Sequence, residues 1–340
     1  MTTIPDSFPA FLATQRDDAV DRGPATLAAT DLGEGRVTVR VRWSSINYKD
    51  ALATVPGGQV ARISPLVPGV DLAGEVVASD DPAVAVGTEV LVTGHDLGVA
   101  HHGGWAHYAR VPAEWVVRLP DGLSSRQAMA LGTAGLTAGL SIHALEAHGL
   151  RPDQGPVLVL GASGGVGSTA VGALAAAGYE VWAATGKKDQ DGYLRSLGAH
   201  EVIAREETTA DSDRPLEKTR WAATVDPVGG AATAYALRTT RHGGAVAVSG
   251  LTGGTALRTT VLPFILRGVS LLGIDSVAAR TELRREVWSR LAGDLRPRGL
   301  DDAIAREVDL EGIEPVLDAL LAGEAVGRTV VRLQGASGAP

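Results

Sequence analysis

The sequence predicts an α/β chain in which a doubly wound parallel sheet is inserted into a β-rich domain. Three features predict it: a middle stretch where strand and helix patterns alternate, short turn-bounded strands on either side, and a glycine-rich turn opening the alternating part. Segment 36–44, RVTVRVRWS, alternates strictly, with Val37, Val39, Val41 and Trp43 on one face and Thr38, Arg40 and Arg42 on the other. Runs of similar character follow at AGEVVAS, TEVLVTG, WAHYARVP and WVVRLP, separated by Gly, Pro and Asp. After Pro120, Ser124 with Gln127 three residues on reads as a capping box, opening a helix that stops at Gly149. Strand patterns then recur at VLVLG (157–161), EVWAAT (180–185), EVIA (201–204), ATVDP (223–227), AVAVSG (245–250) and VSLLGI (269–274), with Ala/Leu helical patterns between them. Such alternation implies a parallel sheet covered by helices on both faces. From about Arg298 short strands return, including GRTVVRL. The expected division is 1–125 for the first part of the β-rich domain, 126–275 for the parallel-sheet domain and 276–340 for the return. The terminal GASGAP reads as a loose tail.

Composition narrows the function. A length of 340 residues suits two domains, and 45% hydrophobic with 21% charged residues is globular. A formal net charge of −8 argues against a general nucleic-acid or anionic-membrane surface. The absence of cysteine removes disulfides, thiolate catalysis and thiolate metal sites. The N-terminus has no basic segment followed by an apolar core, so a secretory leader is not expected and a cytoplasmic setting is. Gln154–Tyr179 carries no charge and is long enough to span a bilayer. Its glycines, Pro156 and its division into strand, turn and helix favour a buried strand and helix instead.

The most informative stretch is VLVLGASGGVGSTAVGAL. A buried strand runs into Ala162-Ser163-Gly164-Gly165-Val166-Gly167 and then a helix, the Ala-x-Gly-x-x-Gly variant of a dinucleotide fingerprint. Gly164 would let backbone approach the pyrophosphate at the helix N-terminus, and Gly167 would let helix and strand pack closely. NAD enzymes usually place an acid at the end of the next strand, on the ribose 2′-hydroxyl. Here that strand ends Thr185-Gly186-Lys187-Lys188, with two of the chain's four lysines side by side and no acid before Asp189. A cationic pair with a hydroxyl suits a 2′-phosphate, so NADPH is the expected cofactor.

In this order, these residues resemble the medium-chain dehydrogenase/reductase superfamily, whose members insert a Rossmann domain into a GroES-like β domain. Zinc-dependent members carry a catalytic Cys and a downstream Gly-His-Glu. This chain reads Asn47-Tyr48-Lys49-Asp50 and Gly69-Val70-Asp71, so Asn47 and Val70 stand where the ligands would be, and no metal is expected. His101-His102, in a Gly-rich loop, read as a solvated pair. WSSINYKD, GASGGVGSTAV, YLRSLGA, GLTGG and LPFILRGVSLLGIDS are similar to the acrylyl-CoA reductase group of quinone-reductase-like enzymes, over nearly the whole chain. The resemblance implies NADPH-dependent, zinc-independent reduction of the C=C of acryloyl-CoA. The residues before the first strand depart from the branch and read as an extension without consequence.

Such a reduction needs hydride at Cβ, donors at the developing thioester oxyanion and a proton at Cα. Asn47, Tyr48 and Asp50 are the catalytic candidates, in the loop beyond the alternating strand. Asn47 would donate to substrate or nicotinamide. Tyr48 resembles a family position that contacts the cofactor, and its hydroxyl is a candidate proton donor. Asp50 reads equally as a brace for the loop or for Lys49. Gly250, Leu251 and Thr252 follow a parallel strand, the usual ligand edge, and Ser276 follows another. Arg195 would extend the adenosine pocket or make a surface ion pair. Arg328 resembles a position near the cleft in the branch. VSLLGI at a sheet edge invites pairing with a second subunit, a homodimer. Two other readings remain open: an NADPH:quinone or general enone reductase, and a non-catalytic NADPH-sensing protein.

Overall fold

A computed structural model describes residues 4–210 and 212–333; the GASGAP segment lies outside the described residues. The chain opens with β1 (Ser7–Arg16), β2 (Ala19–Ala28), β3 (Val37–Ile46), α1 (Tyr48–Ala53), β4 (Asp71–Ser79), β5 (Glu89–Thr93), β6 (Tyr108–Val111) and β7 (Val117–Arg118). It continues through α2 (Ser125–Ala147), β8 (Val157–Val159), α3 (Gly165–Ala176), β9 (Val181–Thr185), α4 (Asp191–Ser196), β10 (Glu201–Ala204), α5 (Arg205–Thr209), β11 (Trp221–Asp226) and α6 (Gly230–Thr239). The remainder is β12 (Thr240–Val248), α7 (Leu262–Arg267), β13 (Ser270–Gly273), α8 (Thr281–Ala292), β14 (Ala305–Val308), α9 (Ile313–Leu321) and β15 (Arg328–Arg332). The chain packs as two compact units. One holds the residues through Thr133, Val277–Arg285 and those from Ala305; the other holds Ala134–Ser276 and Glu286–Ile304.

The first unit is the β-rich one. Its sheet runs β14-β15-β3-β4-β5-β7, with β6 also paired to β3, and every pairing except β14·β15 is antiparallel. Val37, Val39 and Val41 lie in its core as their alternation requires. The residues ahead of β3 correct the sequence reading. They form a two-stranded antiparallel ribbon, β1·β2, and Phe8, Ala10, Phe11 and Leu27 enter the same core. Phe11 meets Trp105 edge-on at 5.4 Å and donates its backbone N–H to the Trp105 carbonyl at 2.8 Å. Far from an idle extension, this ribbon covers one side of the core. Gly23 and Pro24 within β2 hid it, because both residues argue against a strand when read alone.

The second unit carries a six-stranded sheet ordered β10-β9-β8-β11-β12-β13, parallel throughout. The chain enters at β8, winds outward through β9 and β10, then crosses to β11 and winds the other way. The strand order therefore reverses beside β8 and β11, and the carboxyl ends there form the ligand edge of such a sheet. All six strands expected from the sequence are in it.

Among the described residues one helix is long and apolar enough to cross a membrane by length and composition, and it is α2, not the uncharged stretch 154–179. Of its most apolar window, 83% is buried inside the protein. It also breaks at Gly132 (φ 53°, ψ −154°). The longer piece is about 22 Å at 1.5 Å per residue, short of a ~30 Å hydrocarbon core. It is a core helix. Its start bears the expected capping box: Ser124 N–H donates to Gln127 Oε1 (2.8 Å) and Gln127 N–H to Ser124 Oγ (3.2 Å).

Candidate active site

In the second unit, Leu160 and Gly161 follow β8 and the turn 162–167 leads into α3. Gly161 has φ 56°, a left-handed conformation that suits glycine. A Cβ on Gly167 would lie 2.3 Å from the Gly161 oxygen and 2.6 Å from the Ala162 Cα, so only glycine lets the helix start this close to the strand. A Cβ on Gly164 would meet nothing nearer than 3.4 Å, so the turn is open on its outer side. The first helical N–H groups, at Gly165, Val166 and Gly167, have no intrahelical acceptor and point out of the helix start. The cradle they make is a ready seat for a pyrophosphate.

At the end of β9, Thr185 is buried and its Oγ1 lies 2.9 Å from Ser163 Oγ, tying the glycine turn to the neighbouring strand. The same oxygen accepts the Lys187 backbone N–H at 3.1 Å. Lys188 is exposed beyond it. A cation that the sequence reading missed stands here too. Arg205 is the first residue after β10, whose last residue, Ala204, pairs with Thr185. A Cβ on Gly186 would lie 2.9 Å from the Arg205 guanidinium carbon. The signal was its place immediately after a parallel strand two positions out from the strand of the glycine turn. That was unreadable before the strand order was known.

Arg195, which the sequence offered for the same pocket, lies on α4 with its guanidinium bonded to Asp191 (2.9 Å), the His200 carbonyl (2.9 Å) and Glu201 (3.4 Å). Gly250, Leu251 and Thr252 follow β12, and Ser276 follows β13, on the same carboxyl edge as the turn. A pocket of about 470 Å³ there is lined by Val248, Ser249, Gly250, Leu251, Gly273, Ile274 and Asp275. Gly250 is obligatory: a Cβ would fall 1.9 Å from the Pro227 oxygen. The residues present fit a dinucleotide whose ribose carries a phosphate. The cradle is open, no acid ends β9, and Lys187, Lys188 and Arg205 stand at or beside that end.

In the first unit, Asn47, Asp50 and Arg328 meet in one buried network with Ser45, Asp71 and Thr133. Asn47 caps α1 and Asp50 completes the capping box, its Oδ2 accepting the Asn47 N–H at 2.7 Å. Asp50 Oδ1 accepts the backbone N–H groups of Gly69 (3.1 Å) and Val70 (2.9 Å). It braces the start of α1 against the 69–70 segment. Full burial, reinforced by the charge of Asp71, pushes the Asp50 carboxyl up to about 7, against the pull of those hydrogen bonds.

Asp71 is wholly buried and accepts from Ser45 Oγ (2.5 Å), Asn47 Nδ2 (2.8 Å), and Thr133 N–H (3.0 Å) and Oγ1 (2.5 Å). The left-handed Gly132 makes that last approach possible: a Cβ there would lie 2.4 Å from Asp71 Oδ2. Arg328 donates to the carbonyls of Ala130 (3.2 Å) and Ile46 (3.0 Å), to Asn47 Oδ1 (2.9 Å) and to Ser45 Oγ (2.7 Å), with Asp71 at 3.6 Å. Burial lowers its pKa and the two carboxylates oppose that shift. Four hydrogen bonds and the Asp71 ion pair hold this guanidinium inside the unit. The Asn47 amide is equally committed, between Asp71 and Arg328. Of the three catalytic candidates only Tyr48, 42% exposed at the start of α1, presents its side chain outward.

The donor set does not fit zinc. Asn47 and Val70 occupy the two positions compared above, the chain has no cysteine, and among the described residues no three His, Asp or Glu side chains cluster as metal ligands. His102 Nδ1 accepts the Val67 N–H at 3.0 Å, and His101 Nε2 lies 2.7 Å from the Glu34 carbonyl. The pair is bound into the loop, not solvated as the sequence suggested.

Residues 33–121 match the alcohol dehydrogenase GroES-like domain and residues 165–293 match the zinc-binding dehydrogenase domain. YhfP of Bacillus subtilis (strain 168), quinone oxidoreductase-like, is 48% identical over 326 residues, covering 96% of this chain and 99% of YhfP. The acrylyl-CoA reductase AcuI of Ruegeria pomeroyi is 49% identical over 305 residues, covering 90% of this chain and 92% of AcuI. The crystal structure of the Salmonella enterica YhdH oxidoreductase in complex with NADP superposes with a TM-score of 0.93 at 47% identity, over 96% of this chain and 100% of that one. That of Bacillus subtilis YhfP with NAD bound gives 0.94 at 48%, over 96% and 99%. The chain therefore belongs to the medium-chain dehydrogenase/reductase superfamily, among the quinone oxidoreductase-like and acrylyl-CoA reductase-like proteins.

Proposed function

We propose that the chain is an NADPH-dependent reductase of activated C=C bonds, with an α,β-unsaturated CoA thioester such as acryloyl-CoA as its substrate. The observation that carries the cofactor half is the end of β9, where Thr185, Lys187 and Arg205 gather and no acid stands to meet a 2′-hydroxyl. The substrate half rests on the similarity to AcuI.

The residues divide the work. Backbone N–H groups of 165–167 hold the pyrophosphate, and Lys187, Lys188 and Arg205 hold the 2′-phosphate. The 250–252 loop and Ser276 border the nicotinamide end. Bound NADPH supplies the hydride that reaches Cβ. Asn47, Asp50, Asp71 and Arg328 position the start of α1, and the outward Tyr48 there is the candidate group for the substrate. Arg195 stays outside this set, held by Asp191 and Glu201.

The similarity to YhfP favours a second reading, reduction of a quinone by the same hydride chemistry. Parallel assays of acryloyl-CoA, crotonoyl-CoA and a small quinone with NADPH separate them. Preference for a thioester supports the first reading, quinone turnover alone replaces it, and tight NADPH binding without turnover favours a sensing role. The chain also pairs as a homodimer in this reading, through the open edge of β13 beside the exposed Val261 and Ile265 of the neighbouring segment. A monomeric mass in solution would exclude that.

A further inference from the structure

In the first unit, the run 102–105 lies along the segment 67–71 with almost no slack. His102 Nδ1 accepts the Val67 N–H (3.0 Å), and Gly103 N–H donates to the Val67 carbonyl (2.7 Å). Gly104 N–H donates to the Gly69 carbonyl (2.7 Å) and Trp105 N–H to that of Pro68 (3.1 Å). A Cβ on Gly103 would fall 2.4 Å from the Gly69 oxygen, and one on Gly104 2.1 Å from the Asp71 oxygen. Neither backbone can shift along the other without breaking these bonds. Residues 69–71 are the ones that give Asp50 its two backbone donors and the network its Asp71 carboxylate.

The outer end of this run is anchored by the His101 ring, whose Nε2 lies 2.7 Å from the Glu34 carbonyl and whose Nδ1 lies 2.9 Å from the His102 carbonyl. A carbonyl oxygen only accepts, and a neutral imidazole has one N–H, so both contacts are hydrogen bonds only in the imidazolium. His102 is the opposite case. Its Nδ1 accepts an N–H, so its one proton sits on Nε2; burial, then the His101 charge, lower its pKa against the pull of Asp31. The surroundings suit a cation at 101. A cavity of about 400 Å³ beside it is bordered by Glu34, Asp96 and Glu114. The cations nearby are spoken for: Arg36 pairs with Asp81 (3.2 Å), Arg62 with Asp96 (3.3 Å), and Arg110 donates to the Gly33 carbonyl (3.4 Å). Trp115, edge-on to His101 at 5.3 Å, adds no charge. The His95 ring stacked on Trp115 is neutral, its pKa lowered to about 4 by burial and then by the Arg284 charge.

We propose that His101 is a positioning residue, a cationic clamp between the Glu34 segment and the 101–105 run that sets the Gly69–Asp71 segment and loosens when the ring loses a proton. The clamp stands on this geometry alone; its effect on turnover rests on the reductase reading above. With one proton gone, one ring nitrogen turns a lone pair toward a carbonyl oxygen 2.7 or 2.9 Å away. Two acceptors at that distance repel, so one of the two anchors is given up. Asp50 answers pH in the opposite sense. Its ionisation near pH 7 strengthens its hold on the Gly69 and Val70 N–H groups, whereas deprotonation of His101 weakens the hold on the same segment from the other side.

The test compares the wild type with His101→Gln, which keeps a donor and cannot titrate, at about pH 6 and about pH 8.5, on either side of the ordinary imidazole range. Hydrogen exchange at the Gly103 and Gly104 amides is corrected for the intrinsic rate, and ring ¹⁵N NMR of the wild type is recorded at the lower pH. We expect wild-type protection at both amides to fall about 10-fold at the higher pH, and H101Q to show the lower protection at both. Asp50 is present in both proteins, so its titration cancels. The NMR should show two ring protons on His101 and one on His102, at Nε2. The kcat on the best alkene should fall with pH in the wild type relative to H101Q. Wild-type protection that ignores pH, a fall that H101Q shares in full, or a single ring proton on His101 overturns the clamp and leaves the reductase reading intact. A kcat ratio between the two proteins that is the same at both pH values overturns the positioning role. A wild type that titrates as expected but reduces no thioester, enone or quinone upholds the clamp and overturns the reductase reading.

Discussion

Arg328 and Asp71 stand 3.6 Å apart in the interior of the first unit, with the Asn47 amide accepting from one and donating to the other. The pair is almost closed to solvent, so its charges are compensated only by each other and by the surrounding hydrogen bonds. Removing one partner of a buried pair strands the other charge, at a cost of about 3–5 kcal/mol. Arg328→Met should lower stability by that order in urea unfolding, and D71N combined with R328M should do less damage than R328M alone. An R328M midpoint close to wild type would mean that Asp71 is compensated some other way.

Asp50 gives the network a pH dependence. Its carboxyl is raised from 3.8 to about 7 in the folded chain. Between those two values the folded state holds a proton that the unfolded state has released, so this group's contribution to stability falls as pH rises. Asp50→Asn cannot ionise and lacks that fall. Urea midpoints measured at about pH 5 and about pH 8 should show wild type losing ground to D50N as the pH is raised. A constant difference between the two proteins would place the Asp50 pKa outside this window.

Lys187 and Arg205 should decide between the two dinucleotides. Charge-assisted hydrogen bonds contribute about 1.5–3 kcal/mol each, so Arg205→Ser should raise the KM for NADPH by roughly 10- to 100-fold and leave that for NADH almost unchanged. Lys187→Glu should add repulsion toward the phosphate and move the preference further. Arg195→Ala is the control, since Asp191 and Glu201 already hold that guanidinium on the surface. Should R195A lose as much NADPH affinity as R205S, the phosphate pocket has been drawn in the wrong place.

Gly167 tests the cradle itself. A methyl at this position meets backbone of Gly161 and Ala162, which cannot swing aside as a side chain can. Gly167→Ala should abolish NADPH binding and cost about 1–3 kcal/mol through overpacking. Gly164→Ala meets nothing closer than 3.4 Å and should fold normally. Equal behaviour of the two variants in calorimetry would contradict the close approach of α3 to β8.

Much of the fold was legible because periodicity writes it directly. The β3 alternation and the six apolar runs of the parallel sheet each fix a burial pattern, and the glycine turn sits where a strand must become a helix. The β1·β2 ribbon was not legible, since Gly23 and Pro24 interrupt a strand that succeeds only because the core accepts Phe8, Phe11 and Leu27. At the site, Asn47, Asp50 and Arg328 were found from the residues or their resemblance, but their burial was not. Whether an amide faces a ligand or an interior carboxylate depends on Asp71 and Thr133, which are distant in sequence. Arg205 escaped for the same reason: its neighbour is Gly186, one strand away.

The central claim is hydride delivery to the β-carbon of an unsaturated thioester. It is tested most directly by supplying NADPH deuterated at both C4 positions with acryloyl-CoA, then locating the label in the product by NMR. The account predicts propionyl-CoA with one deuterium on Cβ and a solvent-derived proton on Cα. Deuterium on Cα, or a wild-type protein that reduces a quinone and leaves acryloyl-CoA untouched, would contradict it.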